Sequence, residues 1–313
     1  MKKIFFAVVA LAAMSSCAKE NTVMEAPRQA IAFGDVFVDN ATRAAADDFN
    51  SVDAFKVWGN VVGNTGNIFL YNGANVTRNG AENNEAFTCD QTECWIPNAT
   101  YNFLAISGAN SVTPATGAFP TEITYEATGS NDLLISEYVQ VKTDAKSMPI
   151  SGVNANKYVP FTFSHLLSKV YFKFSNTSLS DKCKFVISDI KISGAKKTST
   201  YNIANKEWAP ATGTANEFTF GNAGTIAKDQ SSYSDNACLF IPGAQTLTVT
   251  FTQQFLYNDE AVNNSETITA TLNHTFAANG CYVINVNLEA GATITFTTVE
   301  VNNWGDDNNV TIQ

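Results

Sequence analysis

Short apolar segments separated by Gly, Asn, Asp or Pro run through most of the chain. Within them apolar and polar side chains alternate, most regularly in residues 169–174 and 246–251, which is the period of a strand with one buried face. No segment keeps a 3.6-residue period over four turns, and only residues 163–167 are expected to form one helical turn. The pattern predicts an all-β chain of many short strands, which is typical of β-sandwiches.

The strand candidates follow directly from this alternation. They are residues 55–62, 100–107, 133–141, 169–174, 185–192, 246–257, 266–276, 282–288 and 293–301. Turn signals lie between such segments, at Asn72-Gly73, Asn79-Gly80 and Asn279-Gly280. The alternation in 293–301 slips by one residue at Thr297-Thr298, which predicts a β-bulge. A further short strand is expected at 309–312.

The length of 313 residues allows two domains, each with its own core. Residues 147–158 form a polar stretch that contains Pro and Gly, and a new series of strands opens after Pro160. We therefore predict two sandwich domains, at 49–160 and 161–313. Residues 18–48 precede them as an N-terminal strand and linker.

The charge of the chain excludes some classes of binding partner. Only 15% of the residues are charged and the formal net charge is −10. Lys and Arg form no cluster that would neutralise phosphates, so nucleic acid is not an expected partner. An acidic surface also disfavours binding to anionic membrane surfaces, so membrane attachment would require a separate anchor.

The first 17 residues have the pattern of an export signal that could supply such an anchor. Lys2 and Lys3 are followed by an apolar run over 4–13, which is too short for a permanent membrane helix and typical of an export signal. Small residues lead into Cys17, as in the lipobox of lipoprotein signals, although Met14 stands where that motif usually has Leu. Cys17 is therefore predicted to be lipidated, for example with palmitate, and to become the new N-terminus. An ordinary signal peptide with an incidental cysteine is the alternative.

The remaining cysteines suggest structure rather than metal binding. Cys89 and Cys94 are close enough for a local disulfide, which export permits. Cys238 and Cys281 lie in apolar segments and are expected to be buried. Since no Cys or His neighbours complete a zinc spacing, we predict neither a metal nor another cofactor.

Candidate catalytic groups are few. His165 lies in an aromatic and apolar segment and is expected to be structural, and His274 is expected at the surface of a strand. The glycines form neither a nucleophile elbow nor a phosphate-binding loop. Asp306-Asp307 lacks the spacing of a calcium loop and is best explained as a solvated turn.

The carboxylates and tryptophans complete the case against catalysis. A glycosidase needs two carboxylates that face each other, and the scattered acids mark no such pair. The residues considered are Glu137, Glu207 and Glu266 for the acids, and Trp58, Trp95, Trp208 and Trp304 as sugar-stacking or core side chains. In sandwiches a Trp is more often part of the core. We therefore predict that the chain is not an enzyme.

The N-terminal segment after the signal contains one more strand candidate. This candidate is residues 31–38, which precede any domain core. Residues 39–48 follow as a small, polar stretch with Arg43 in its middle. An extended, exposed stretch of this kind is what a protease requires.

Several motifs spread over the chain resemble the fimbrillin (Mfa-like) family of type V pilus subunits. They are the lipoprotein signal ending at Cys17, Thr42-Arg43-Ala44, residues 163–170, Leu239-Phe240-Ile241-Pro242-Gly243 and the terminal residues 299–304. The resemblance implies two transthyretin-like β-sandwich domains in tandem. It also implies an outer-membrane lipoprotein that an arginine-specific protease cuts between Arg43 and Ala44.

The resemblance further implies assembly by exchange of strands. The cut would release the strand that carries Ile31, Phe33, Val36 and Val38. The vacated groove would accept a strand donated by the next subunit, most plausibly from residues 293–313. Its apolar side chains are Ile294, Phe296, Val299 and Val301.

The function expected from the sequence is thus a stalk or tip subunit of a surface pilus that serves adhesion. Its partners would be other pilus subunits in a homo- or heteropolymer, the outer membrane through the lipid before processing, and a host or bacterial surface ligand. A monomeric surface lipoprotein that binds a glycan or a host protein is the alternative. A secreted hydrolase is the least favoured reading.

Overall fold

The computed structural model describes residues 29–38, 52–63, 66–79, 87–214, 217–292 and 294–303, with the backbone alone at 295 and 297–303. All regular secondary structure within these ranges is β, which confirms the predicted all-β class with tandem sandwich domains. The strands in chain order are β1 Phe33–Val38, β2 Ala54–Gly63, β3 Gly66–Arg78, β4 Phe87–Cys89, β5 Thr100–Ser107, β6 Ser111–Thr113, β7 Glu122–Glu126, β8 Leu134–Ser136, β9 Val139–Thr143, β10 Pro149–Ser151, β11 Val159–His165, β12 Ser168–Asn176, β13 Cys183–Ser193, β14 Thr198–Asn202, β15 Glu207–Trp208, β16 Phe218–Gly221, β17 Gly224–Ala227, β18 Ser231–Tyr233, β19 Cys238–Phe240, β20 Gly243–Tyr257, β21 Glu260–Ala261, β22 Glu266–Phe276, β23 Gly280–Leu288 and β24 Thr295–Asn303.

The N-terminal half is built on one nine-stranded sheet. Its strand order is β10-β9-β5-β2-β3-β4-β1-β11-β8, and β8 also pairs with β5, so the sheet curls back on itself. The inward-facing side chains, many of them aromatic, form one buried core. β1 lies inside this sheet, although it precedes the rest of the half by a long stretch of sequence.

The C-terminal half consists of two facing sheets. A five-stranded sheet has the order β18-β12-β23-β24 with β19 on β12, and a six-stranded sheet is centred on β13 and β20. Alternate residues of the central strands, such as Phe172, Phe174 and Phe251, point into the core between them. This arrangement follows from the period-two pattern of the sequence.

The predicted boundary at residue 160 is displaced by a few residues in the structure. β11 crosses it, and residues up to His165 pair with β1 and β8 of the N-terminal sheet. A small sheet of β15-β14-β7-β6 also joins the two halves, since β7 pairs with β14. The N-terminal sheet therefore extends past Pro160, because partner strands and not local composition decide where a sheet ends.

Three local predictions are wrong and share one cause. Residues 163–165 are strand in β11 and not a helical turn. Asn72-Gly73 is a bulge within β3, where Val57 pairs with Ala74 and Trp58 with Asn72. Candidate 133–141 divides into β8 and β9, which occupy different stretches of the ladder on β5. Local patterns mark strands and bends but not the partners that end or extend a strand.

Candidate functional site

β1 is held between two neighbours in the interior of the N-terminal sheet. It runs parallel to β11, with Val36 opposite Phe161 and Val38 opposite Phe163. On its other side Phe33 pairs with Phe87 of β4. The prediction that residues 31–38 contribute a sheet strand is confirmed for Phe33–Val38.

The chain just before β1 is also fixed by backbone hydrogen bonds. The amide of Ile31 donates to the carbonyl of Glu93 at 2.8 Å, and the amide of Trp95 donates to the carbonyl of Gln29 at 3.0 Å. Next to them the amide of Val159 donates to the carbonyl of Ala32 at 2.8 Å. The N-terminal segment from residue 29 onwards is thus part of the hydrogen-bonded sheet.

The side chains of this segment alternate between core and surface. Ile31, Phe33, Val36 and Val38 are all buried, whereas Phe37 is 39% exposed. The inward positions are those predicted from the sequence. Burial of such side chains contributes roughly 1.5–3 kcal/mol each, which is about 6–12 kcal/mol for four before ordering costs.

The Phe33 ring lies in an aromatic pocket. Its centroid is 5.5 Å from that of Tyr71, 5.9 Å from that of Phe103 and 5.9 Å from that of Phe161. Burial also raises the pKa of the Tyr71 phenol. Without Phe33, three rings of the core would lose a packing neighbour.

A bulge interrupts β1 between Phe33 and Val36. These two residues are three positions apart, while their partners Val159 and Phe161 are two apart. Asp35 accommodates the extra residue with a positive φ of 50° and accepts a hydrogen bond from the Asn154 amide. A β-bulge of this kind fixes the register of the strand.

The predicted donor strand at the other end of the chain forms β24. It pairs antiparallel with β23 and ends the five-stranded sheet. The predicted bulge at Thr297-Thr298 is confirmed, because Phe296 and Val299 pair with Val286 and Ile284. Ile294 and Phe296 are half-buried against the C-terminal core. The side chains of Val299 and Val301 lie outside the described residues.

Other predicted site residues have varied outcomes. Cys17, Arg43, Ala44 and the aspartates at 306–307 lie outside the described residues, as does the candidate strand 309–312. Cys89 is a free thiol, so the disulfide with Cys94 that the spacing allows is not formed. The backbones of the two residues pair with different strands. Cys89 lies opposite Val76 of β3, and Cys94 forms an isolated β-bridge with Ala30.

The two histidines have structural surroundings. His165 is buried, and its Nδ1 lies 2.6 Å from a carboxylate oxygen of Asp132. His274 is half-buried and not at the surface as expected, because its ring packs edge-on against Phe276 and Tyr282. This burial lowers the pKa of His274.

The acidic residues and tryptophans considered for catalysis or sugar binding also have structural surroundings. Glu137 forms an exposed ion pair with Lys206 at 2.9 Å, and Trp58 and Trp95 belong to the core, as expected. In the described part of the chain, no three acidic, Cys or His side chains are grouped so as to hold a metal ion. No helix in the same residues is long and apolar enough to cross a membrane.

One open groove of about 590 Å³ lies between β2, β3 and the segment around β6. Asn75, Thr77, Asn110 and Ser111 are among its lining residues, and Trp58 also contributes to its wall. Neutral amides and hydroxyls thus dominate its polar atoms, and charge is nearly confined to Lys56.

The family model described as fimbrillin-like matches residues 42–304, which is most of the chain. The chain belongs to the fimbrillin-like family. Membership in this family supports a structural role for the chain as a pilus-type adhesion subunit at the cell surface.

Solved structures agree with this fimbrillin-like fold. A fimbrial protein from Bacteroides vulgatus ATCC 8482 is similar with a TM-score of 0.57 and 14% identity, over 87% of this chain and 99% of that protein. A protein from Bacteroides uniformis ATCC 8492 with a proposed role in cell adhesion has a TM-score of 0.51 and 18% identity, over 88% and 98%. At such identities the likeness concerns the fold alone. No curated protein matches the chain significantly.

Sequence reasoning missed the pocket of the fimbrillin-like chain that receives Phe33. Tyr71 lies in β3, which was not predicted as a strand, and Phe103 and Phe161 belong to strands that are distant in sequence. The alternation in residues 100–107 predicted the strand that carries Phe103, but it did not predict which rings Phe103 would contact. The pairing of β1 with β11 brings Phe33 to Phe161, and the pairing of β2 with both β3 and β5 brings Tyr71 and Phe103 together.

Proposed function

We propose that the chain is a polymerising subunit of a surface pilus that is exported as a lipoprotein on Cys17. A protease cuts after Arg43, β1 then leaves the N-terminal sheet, and the terminal strand of a neighbouring subunit takes its place. The observation that supports this proposal is the position of β1. It fills an interior place in the sheet, yet the rest of the sheet is built from residue 52 onwards.

The physical reason for assembly follows from that position. If β1 departs, the amides and carbonyls of β11 lose their partners and the aromatic pocket around Phe33 opens to water. Unpaired strand edges and exposed apolar grooves bind further strands readily. An incoming strand restores the ladder and fills the pocket. Polymerisation thereby repairs a defect that the protease creates.

The arginines of the chain make the cut testable. They are Arg28, Arg43 and Arg78. Arg78 ends β3, where its guanidinium lies 3.2 Å from Asp53 and donates to the carbonyl of Val52 at 2.8 Å. A cut after Arg28 would leave β1 attached to the sheet. Only a cut after Arg43 releases the whole strand while leaving the described sheet intact.

The experiment is digestion of the lipid-free chain with an arginine-specific protease. We expect a folded product that begins at Ala44 and forms a ladder of oligomers on gels. The matched control is Arg43→Gln, which keeps Arg28 and Arg78 and should remain a monomer. A correctly trimmed wild-type chain that stays monomeric would instead favour a solitary surface lipoprotein that binds a glycan or a host protein.

A further inference from the structure

The N-terminal strand and the C-terminal strand share one sequence pattern. Residues 31–38 read Ile-Ala-Phe-Gly-Asp-Val-Phe-Val, and residues 294–301 read Ile-Thr-Phe-Thr-Thr-Val-Glu-Val. Both have the form Ile-x-Phe-x-x-Val-x-Val. The four positions that coincide carry the buried hydrophobic side chains of the N-terminal segment.

The two strands also share the irregularity of their backbones. In β1 the three steps from Phe33 to Val36 face two steps on β11. In β24 the three steps from Phe296 to Val299 face two steps on β23. Each strand therefore carries one extra residue at the same place in the pattern. A bulge shifts every following side chain by one position, so this agreement is needed for the later valines to match.

We infer that the terminal strand of a second copy of this chain enters the place of β1 in the same direction and the same register. This inference rests on the proposed function. Ile294, Phe296, Val299 and Val301 of one copy then take the sites of Ile31, Phe33, Val36 and Val38 in the next. Since slot and tail match within one sequence, the polymer is a homopolymer and the subunit is a stalk subunit.

The pocket of Phe33 decides the direction of entry. A reversed strand keeps the spacing of the four apolar residues, but it places Val299 in the aromatic pocket and Phe296 in the site of Val36. The first change leaves a cavity among Tyr71, Phe103 and Phe161, and the second overpacks a site that fits Val. Entry in the direction of β1 avoids both penalties.

The match is imperfect at the bulge. Thr297 takes the place of Gly34, where an added Cβ would come within 2.5 Å of the Tyr158 ring. Tyr158 is half-buried. Thr298 takes the place of Asp35, and its hydroxyl oxygen lies one bond closer to the backbone than the carboxylate oxygen that accepts the hydrogen bond from Asn154. Exchange in this register therefore requires Tyr158 to move.

Crosslinking between copies with one added cysteine each tests the register. Thr162 is exposed and lies opposite Phe37, whose place Glu300 takes in the inferred register. In the reversed register Thr295 takes that place instead. Trimmed Thr162→Cys chains are mixed with trimmed Glu300→Cys or Thr295→Cys chains, left to assemble and oxidised. Opposed strand positions satisfy the separation of roughly 4.4–6.8 Å between Cα atoms that a disulfide needs.

We expect that Thr162→Cys chains form a disulfide-linked dimer with Glu300→Cys chains. We expect no such dimer between Thr162→Cys and Thr295→Cys chains. Ladders in which Thr295→Cys crosslinks, or in which neither variant does, would overturn the register while the pilus function stands. If the trimmed wild-type chain forms no ladder at all, the proposed function itself fails. Each cysteine variant alone corrects for crosslinks through the natural thiols.

A second measurement tests the predicted steric conflict between Thr297 and the Tyr158 ring. In Tyr158→Ala the ring that faces Thr297 is absent, so trimmed chains should assemble faster than the wild type. Tyr138→Ala, at an exposed Tyr of the same half, is the matched control and should assemble at the wild-type rate. Equal rates for Tyr158→Ala and the wild type would contradict entry of Thr297 at the place of Gly34.

Discussion

The first and last strands of this chain carry the same apolar pattern in opposite surroundings. β1 is paired on both sides, by β11 and β4, and its Phe33 is fully buried. β24 pairs with β23 alone among the described strands, and its Phe296 is half-buried. Similar residues are thus an interior strand at one end of the chain and an edge strand at the other.

The difference indicates which strand leaves under which conditions. An interior strand with a buried aromatic anchor does not detach readily, which is why the proposed exchange of β1 begins with a cut in the linker. An edge strand has only one ladder to break. In the proposed exchange β24 is therefore the strand that becomes free to serve a neighbour.

The largest expected effect compares the two aromatic anchors in the uncut chain. Phe33→Ala removes a fully buried ring and should lower the free energy of unfolding by about 3–5 kcal/mol. Phe296→Ala removes a half-buried ring from an edge strand and should cost about 1–2 kcal/mol, a partial share of the burial term. Urea denaturation measures both.

Phe37→Ala is the matched control for this pair, because Phe37 lies in β1 but points outwards. It should cost less than about 1 kcal/mol, as surface substitutions usually do. Equal losses for Phe33→Ala and Phe296→Ala would break the contrast between the two strands.

A smaller effect concerns local opening in the uncut monomer. The amides of β24 should exchange with deuterium faster than those of β1, because edge strands open at lower free energy than core strands. Hydrogen exchange read by mass spectrometry on peptides that cover 31–38 and 294–303 measures the difference. Slower exchange in 294–303 than in 31–38 would mean that the edge strand is the firmer of the two.

Much of the strand content was predictable because it depends on alternation within the sequence. Thr100–Ser107 and Glu266–Phe276 have the predicted bounds, and the slip at Thr297-Thr298 is a bulge. These features are local, since a period of two and its interruption need only a few neighbouring residues.

The pairing of the strands was not predictable in the same way. Gly73, with φ of +80°, serves a bulge against Trp58 and not the tip of a hairpin, although the sequence signal is the same. β7 and β14 join the two halves across more than 70 positions. The inward residues of β1 were predicted, but the aromatic pocket that holds Phe33 depends on three distant strands. Contacts of this range are absent from local patterns.

The most direct test of the account is native mass spectrometry of the chain cut after Arg43. The severed segment that contains β1 should stay bound to the monomer through its sheet contacts and be lost as oligomers form. Oligomers should therefore contain only chains that begin at Ala44. Oligomers in which every chain retains its severed segment would contradict the claim that a neighbour's strand replaces β1.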